Sequence, residues 1–221
     1  PRGLANSSGT LGQYLMDHTI ASGALATMPG LEDRTTRGWR PNGIYVPRFQ
    51  NLAGKDKGEK FLRGYGFQGS AMRPGWENTH TSMPGFGAGL KQALRGPGPW
   101  VMMLLGFGEC LPYQHNRVSL AHNELDRFGI PQVKFDFSFG DNEENMRRDM
   151  VDQAQEMLKV AGGEEIRGFV TPSVGGDAIH EMGGARMGRD PGESVLNQWC
   201  QSHDVPNLFV TDGACMTSSA C

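Results

Sequence analysis

Cysteine is scarce in this chain of 221 residues, with Cys110, Cys200, Cys215 and Cys221 as its four members. None stands at a CxxC spacing, so neither a zinc knuckle nor a thioredoxin-type pair is indicated, and no pairing among the four is required. Long apolar runs are also lacking. The longest, Trp100 to Leu105, falls far short of the roughly 20 residues a membrane span needs, so no span is expected. Charge of one sign is missing too, since a net charge of −3 gives no bulk field for nucleic acid or anionic lipid. There is no H-E-x-x-H, no Asp-rich calcium loop, no phosphate loop and no G-x-S-x-G. No metal site is therefore expected, and no serine hydrolase of the usual type. The chain begins Pro1-Arg2-Gly3 without a basic, apolar leader and stops at Cys221 after Thr217-Ser218-Ser219-Ala220. No targeting signal is visible, and both ends look severed.

Glycine, by contrast, is abundant: 32 residues, to which 13 prolines are added. Together they fill about a fifth of the chain, below the roughly 25–30% that marks low-complexity disorder. Eighteen of the glycines lie in the first hundred residues, where they interrupt any period before it is established. Only Leu11 to His18 and Gly89 to Leu94 are candidates for short helices there. The aromatics Trp39, Tyr45, Phe49, Tyr65, Phe67, Trp76 and Phe86 could line a cleft, but packing beneath loops accounts better for most of them.

The second half is better punctuated. Trp100 to Cys110 reads as a continuous apolar strand ended by Gly106 and Gly108. Arg117 to Leu120 alternates as a strand, Asp126 to Pro131 as a turn, and Val133 to Phe139 as a strand with one buried face. Asp141 then serves as an N-cap, with Glu144 completing a capping-box pattern. Met146, Met150, Ala154, Met157 and Leu158 follow at helical spacing, and Gly162-Gly163 supplies the stop. A methionine stripe of this kind is core packing rather than a cofactor box. Ile166 to Val170 and Asn207 to Thr211 complete the strands. Such an order predicts an α+β fold, an antiparallel sheet with helices on one face.

Of six histidines, His115 and His122 stand too far apart to share a metal ion on a helix. His18 reads as a helix-terminal histidine beside Asp17, and His80 as a loop residue. His180 is different, because Gly183, Gly184 and Gly188 follow it and let the backbone approach another group closely. A histidine beside glycine-lined backbone suits a general base that must reach a flat ligand. The plainer reading is a surface turn, with Arg186, Asp190 and Glu193 as solvated charges.

The segment from Ile179 to Gly213 resembles the C-terminal region of the glucose-methanol-choline (GMC) family of flavin oxidoreductases. The resemblance rests on His180, Gly183, Met187-Gly188, Asp190-Pro191, Ser194 to Asn197 and Val205 to Gly213. Two shorter stretches are similar as well: Asn6 to Gly9 through Tyr14-Leu15-Met16-Asp17-His18, and Asn116 to Leu120 with Asp126 to Pro131. Glu181-Met182 within the motif looks most like bacterial sugar and polyol dehydrogenases.

The resemblance implies FAD as cofactor, with His180 taking or orienting the proton of the substrate hydroxyl. It places Gly183, Gly184, Asp212, Gly213 and Ala214 against the flavin. It implies residues 1–18 as a remnant of an FAD domain of Rossmann-like type, 19–170 as a substrate-binding domain, and 171–221 as a segment returning to the FAD domain. A sugar or polyol substrate is implied, with a cytochrome or quinone as electron acceptor and a periplasmic or membrane-associated location. Three departures stand out. Gly184 occupies a position where relatives carry Thr or Ser, the second active-site residue would fall beyond Cys221, and the G-x-G-x-x-G fingerprint is absent. The chain is accordingly expected to be a fragment of an FAD-dependent dehydrogenase, inactive alone. The rival expectations are a carbohydrate-binding module without redox chemistry and an oxygen-using alcohol oxidase of the same family.

Overall fold

A computed structural model describes residues 3–34, 43–52, 60–73, 85–172 and 174–219. Its centre is a six-stranded sheet that is antiparallel throughout. The strands are β1 (His18–Thr19), β2 (Ser22–Met28), β3 (Gly43–Val46), β4 (Tyr65–Met72), β5 (Trp100–Glu109) and β8 (Glu164–Val170). Their order is β3-β4-β5-β2-β8, with β1 also pairing with β5. The apolar run of β5 thus becomes the central strand, bonded to β4 on one side and to β1 and β2 on the other. Among the described residues two α-helices occur, α1 (Gly87–Ala93) and α2 (Asp141–Val160). The antiparallel α+β architecture is the one the pattern of elements predicts.

Helix α2 lies across one face of the sheet because its apolar residues recur every four positions. Met146, Met150, Ala154 and Leu158 are fully buried with Ala24, Ala26, Phe61, Tyr65, Phe67 and Leu104. The helix sits close because β5 offers it bare backbone. A Cβ added at Gly106 would stand 2.5 Å from the Met150 sulfur, and one at Gly108 would stand 2.4 Å from the Met146 sulfur. The N-cap is Gly140, one residue before the expected Asp141. Glu143 rather than Glu144 is the acidic partner, and its carboxylate accepts from Gly140 N at 2.8 Å. At the other end Gly162 adopts φ +84°, and Gly162 and Gly163 donate to the carbonyls of Lys159 and Leu158. These two bonds form the Schellman closure.

Strands β6 (Arg117–Leu125) and β7 (Pro131–Asp136) form a separate hairpin. Asp126 fixes its turn by accepting from Phe128 N at 2.8 Å and Ile130 N at 2.9 Å. The expectation of a buried face fails here, since Val133 is 54% and Phe135 68% exposed. No described layer covers the hairpin, so alternation marks a common face without burying it.

Two further expectations are corrected. Leu11 to His18 is not a helix. Gly9, Gly12 and Tyr14 adopt positive φ, and the backbone bonds sideways to Asn116, Val118, Met182 and Gly184. Asn207 to Thr211 is not a strand either. Its only described bridge joins Phe209 to Gln201, flanked by bonds from Ser202 N to Leu208 O and from Val210 N to Cys200 O, too short a pairing to extend into a strand. Of the aromatics, Tyr65, Phe67 and Phe49 pack in or against the core, while Tyr45 and Phe86 are exposed. Trp39, Trp76 and His80 lie outside the described residues. No described helix is long and apolar enough to cross a membrane.

Candidate active site

Three stretches distant in sequence are laced together at one end of the sheet. Residues 182–187 form the middle layer, with residues 12–16 on one side. Gly12 N donates to Gly184 O at 2.6 Å, Gly184 N to Gln13 O at 3.1 Å, and Met16 and Met182 exchange bonds of 2.8 and 2.9 Å. On the far side Gly183 N donates to Gly213 O, Ala185 N to Ala214 O and Met187 N to Cys215 O, each at 3.0 Å. Four of the expected cofactor residues, Gly183, Gly184, Gly213 and Ala214, are thereby gathered into one patch of backbone.

Glycine is required at 183 on two grounds. Its φ is +85°, and a Cβ there would stand 2.1 Å from the Tyr14 carbonyl oxygen. Gly184 shares the left-handed conformation at φ +95°. Asp212 does not point freely. Its carboxylate accepts from Ala214 N at 2.9 Å and caps the short 3-10 turn Gly213–Cys215. Gly183, Gly184, Ala185 and Ala214 then form one wall of a cleft of about 750 Å³. Val118 to Leu120 and His122 of the hairpin, with Leu11 and Gly12, contribute to its lining.

His180 is exposed and lines neither this cleft nor the smaller one of about 500 Å³ formed by Asp17, Phe135, Phe137, Gly176 and Glu181. In the chain it stands between Gly176 and Glu181, which line the second cleft, and three residues before Gly183, which lines the first. The residue before it, Ile179, is held at φ +54°. Such a conformation costs a β-branched residue on the order of 1–3 kcal/mol and persists only where neighbours over-determine it.

The neighbour that sequence reasoning missed is His18. It is a strand residue of β1 rather than a helix terminus, and only 7% exposed. Its ring stands edge-on to His180, with centroids 5.0 Å apart, and 6.1 Å from Phe107. The ring Nδ1 lies 3.2 Å from the Gly108 carbonyl, which can only accept, so Nδ1 carries a proton. Burial holds the His18 pKa below the usual histidine value. The Gly108 bond opposes that shift, and the neighbouring His180 adds to it. Burial thus favours the neutral form of the ring.

Strand alternation explains the company His18 keeps. Gly106 and Gly108 face α2, so Phe107 and Glu109 project from the opposite face. His18 pairs directly with Glu109 and shares that face. Glu109 is itself 6% exposed and lies 3.6 Å from Arg63 and 3.9 Å from Arg48. Burial pushes its carboxyl above the usual range, and the two guanidiniums pull it back. The face of the sheet opposite α2 therefore carries, beside His180, an imidazole, an aromatic ring and a carboxylate within reach of two arginines. The one available signal was the Asp17-His18 dipeptide, whose depth in the fold no local pattern reports. Arg186 is also more than a solvated charge, since it donates to Glu193 O at 2.6 and 2.9 Å and covers the Tyr14 ring.

Residues 112–221 match the family model described as GMC oxidoreductase. The 2-methyl-1,2-propanediol dehydrogenase of Mycolicibacterium austroafricanum is 31% identical over 99% of this chain and 39% of its own length. The fructose dehydrogenase large subunit of Gluconobacter japonicus is 28% identical over the same shares. The gluconate 2-dehydrogenase flavoprotein of Pantoea cypripedii is 28% identical over 66% of this chain and 26% of its own length. The chain thus spans about two fifths of the length of the first two relatives.

Proposed function

Because the chain belongs to the GMC oxidoreductase family, we propose that it presents the proton-accepting side of a flavin-dependent dehydrogenase acting on a sugar or polyol hydroxyl. The observation that carries this reading is the placement of His180, exposed and three residues from a backbone wall that has no side chain larger than methyl. That wall fits a flat cofactor. Gly183, Gly184, Ala185 and Ala214 present backbone and methyl groups, and the cleft volume is in the range of small-molecule sites.

In this reading Gly183, Gly184, Gly213 and Ala214 lie against the flavin, and Asp212 shapes the turn that presents the last two. Bound FAD supplies the hydride acceptor for the alcohol carbon. His180 takes the hydroxyl proton onto its free ring nitrogen, so the alcohol's second hydrogen leaves as a proton to imidazole. The sheet face opposite α2 supplies the rest of the substrate's surroundings. Phe107 offers a ring for the apolar side of a polyhydroxylated carbon chain, and Glu109 with Arg48 and Arg63 offers polar partners for its hydroxyls. The names of the dehydrogenase relatives support a polyol or sugar as substrate. A cytochrome or quinone is the proposed acceptor that reoxidises the flavin.

The test is anaerobic bleaching of the flavin in the full-length protein with sugars, acyclic polyols and simple alcohols. At least one polyhydroxylated compound should bleach it within the turnover time. Bound flavin that no hydroxyl compound reduces would contradict the assignment.

A further inference from the structure

We propose that Asp17 and His18 are positioning residues that hold His180 in place from beneath, an inference that rests on His180 acting as the base. Asp17 is 1% exposed, and each of its carboxylate oxygens has a backbone partner. Oδ1 accepts from His18 N at 2.8 Å, and Oδ2 from Gly176 N at 2.9 Å and Ala178 N at 3.4 Å. One carboxylate therefore binds β1 to the loop that carries Ile179 and His180. The clamp acts one residue before Ile179, whose left-handed conformation requires outside support. Ala178 is itself buried, so the loop is anchored there while Ile179 and His180 stand exposed.

His18 supplies the second constraint. Its Nδ1–H is tied to the Gly108 carbonyl of the central strand, which fixes the ring plane. That fixed ring stands edge-on to His180 at 5.0 Å and limits how far the His180 ring turns toward the sheet. The two adjacent residues thus divide the work: Asp17 fixes the backbone under His180, and His18 fixes its ring. Neither needs to touch substrate or flavin, so both act through His180.

The test is a double-mutant cycle in the full-length, flavin-loaded protein. His18→Asn keeps a side-chain N–H for the Gly108 carbonyl and removes the ring. It should lower kcat about 10- to 100-fold while leaving KM within about twofold, because a misplaced base loses rate rather than binding. In a His180→Ala background the same substitution should cost less than about twofold, since its effect passes through His180. Equal losses in both backgrounds would overturn the proposal. If His180→Ala alone leaves the rate intact, the base assignment falls, and a second measurement still decides the positioning claim. Hydrogen exchange of residues 174–182 in the unloaded full-length protein should quicken at least threefold in His18→Asn and in Asp17→Asn. Exchange unchanged in both variants would overturn it, and Asp17→Asn stands in should His18→Asn fail to fold.

Discussion

Replacing Gly183 by alanine tests the backbone wall directly. The alanine must adopt φ +85° and place its Cβ 2.1 Å from the Tyr14 carbonyl oxygen. Left-handed backbone costs a non-glycine residue about 1–2 kcal/mol. The contact is shorter than van der Waals distance by about 1 Å, and its partner is backbone, which cannot rotate away. Relief requires residues 182–183 to withdraw from residues 14–16, at the expense of the paired Met16–Met182 bonds and the Gly183–Gly213 bond. Three backbone bonds at about 0.5–1.5 kcal/mol each bring the total loss to roughly 3–6 kcal/mol. Gly30→Ala is the control, because Gly30 has φ +75° and nothing within 4 Å of an added Cβ. It should lose only the conformational part, about 1–2 kcal/mol. In thermal unfolding, at about 2–4 °C per kcal/mol, Gly183→Ala should melt about 6–24 °C lower and Gly30→Ala about 2–8 °C lower. Equal shifts would refute the close approach of the two segments.

Other outcomes follow from buried groups. Because burial favours the neutral form of His18, the unfolded chain binds a proton that the folded chain does not, and stability should fall as pH drops below about 6.5 toward the lowered folded value. His18→Asn should flatten that part of a stability-versus-pH curve; an unchanged slope would show that His18 does not contribute. Cys110 is fully buried, its thiol pushed up to about 12 by burial first and by Glu143 second. Iodoacetamide at pH 8 should therefore label half-buried Cys200 well before Cys110, by mass spectrometry of timed samples. Glu143 accepts from Leu111 N at 3.0 Å, Tyr113 Oη at 3.0 Å and Gly140 N at 2.8 Å. Its replacement by alanine orphans these donors and should cost about 3 kcal/mol in denaturant unfolding, with glutamine losing less.

The helix and the central strand were legible because each announces itself locally. Met146, Met150, Ala154 and Leu158 repeat at one turn, and Trp100 to Glu109 is apolar enough to need burial on both sides. Leu11 to His18 deceived because its hydrophobic spacing admits a helix, whereas its backbone groups find partners at residues 116, 118, 182 and 184. No window of local sequence contains that competition. The hairpin shows the converse limit, since alternation at Val133 and Phe135 reports a shared face but not what lies against it. His180 and the glycines after it were found by chemistry and resemblance. His18 closed one of the two shorter similar stretches, yet its role depends on pairing with Glu109, 91 positions away in sequence. Asp17 was missed for the same reason, its partners Gly176 and Ala178 being contributed by the far end of the chain.

The central claim is that His180 accepts the substrate proton, and stopped-flow reduction of the flavin in full-length wild type and His180→Ala tests it most directly. The account predicts that the variant keeps its flavin absorbance and binds substrate, yet is reduced at least about 100-fold more slowly, the usual scale for a general base. A variant reduced as fast as wild type would contradict it.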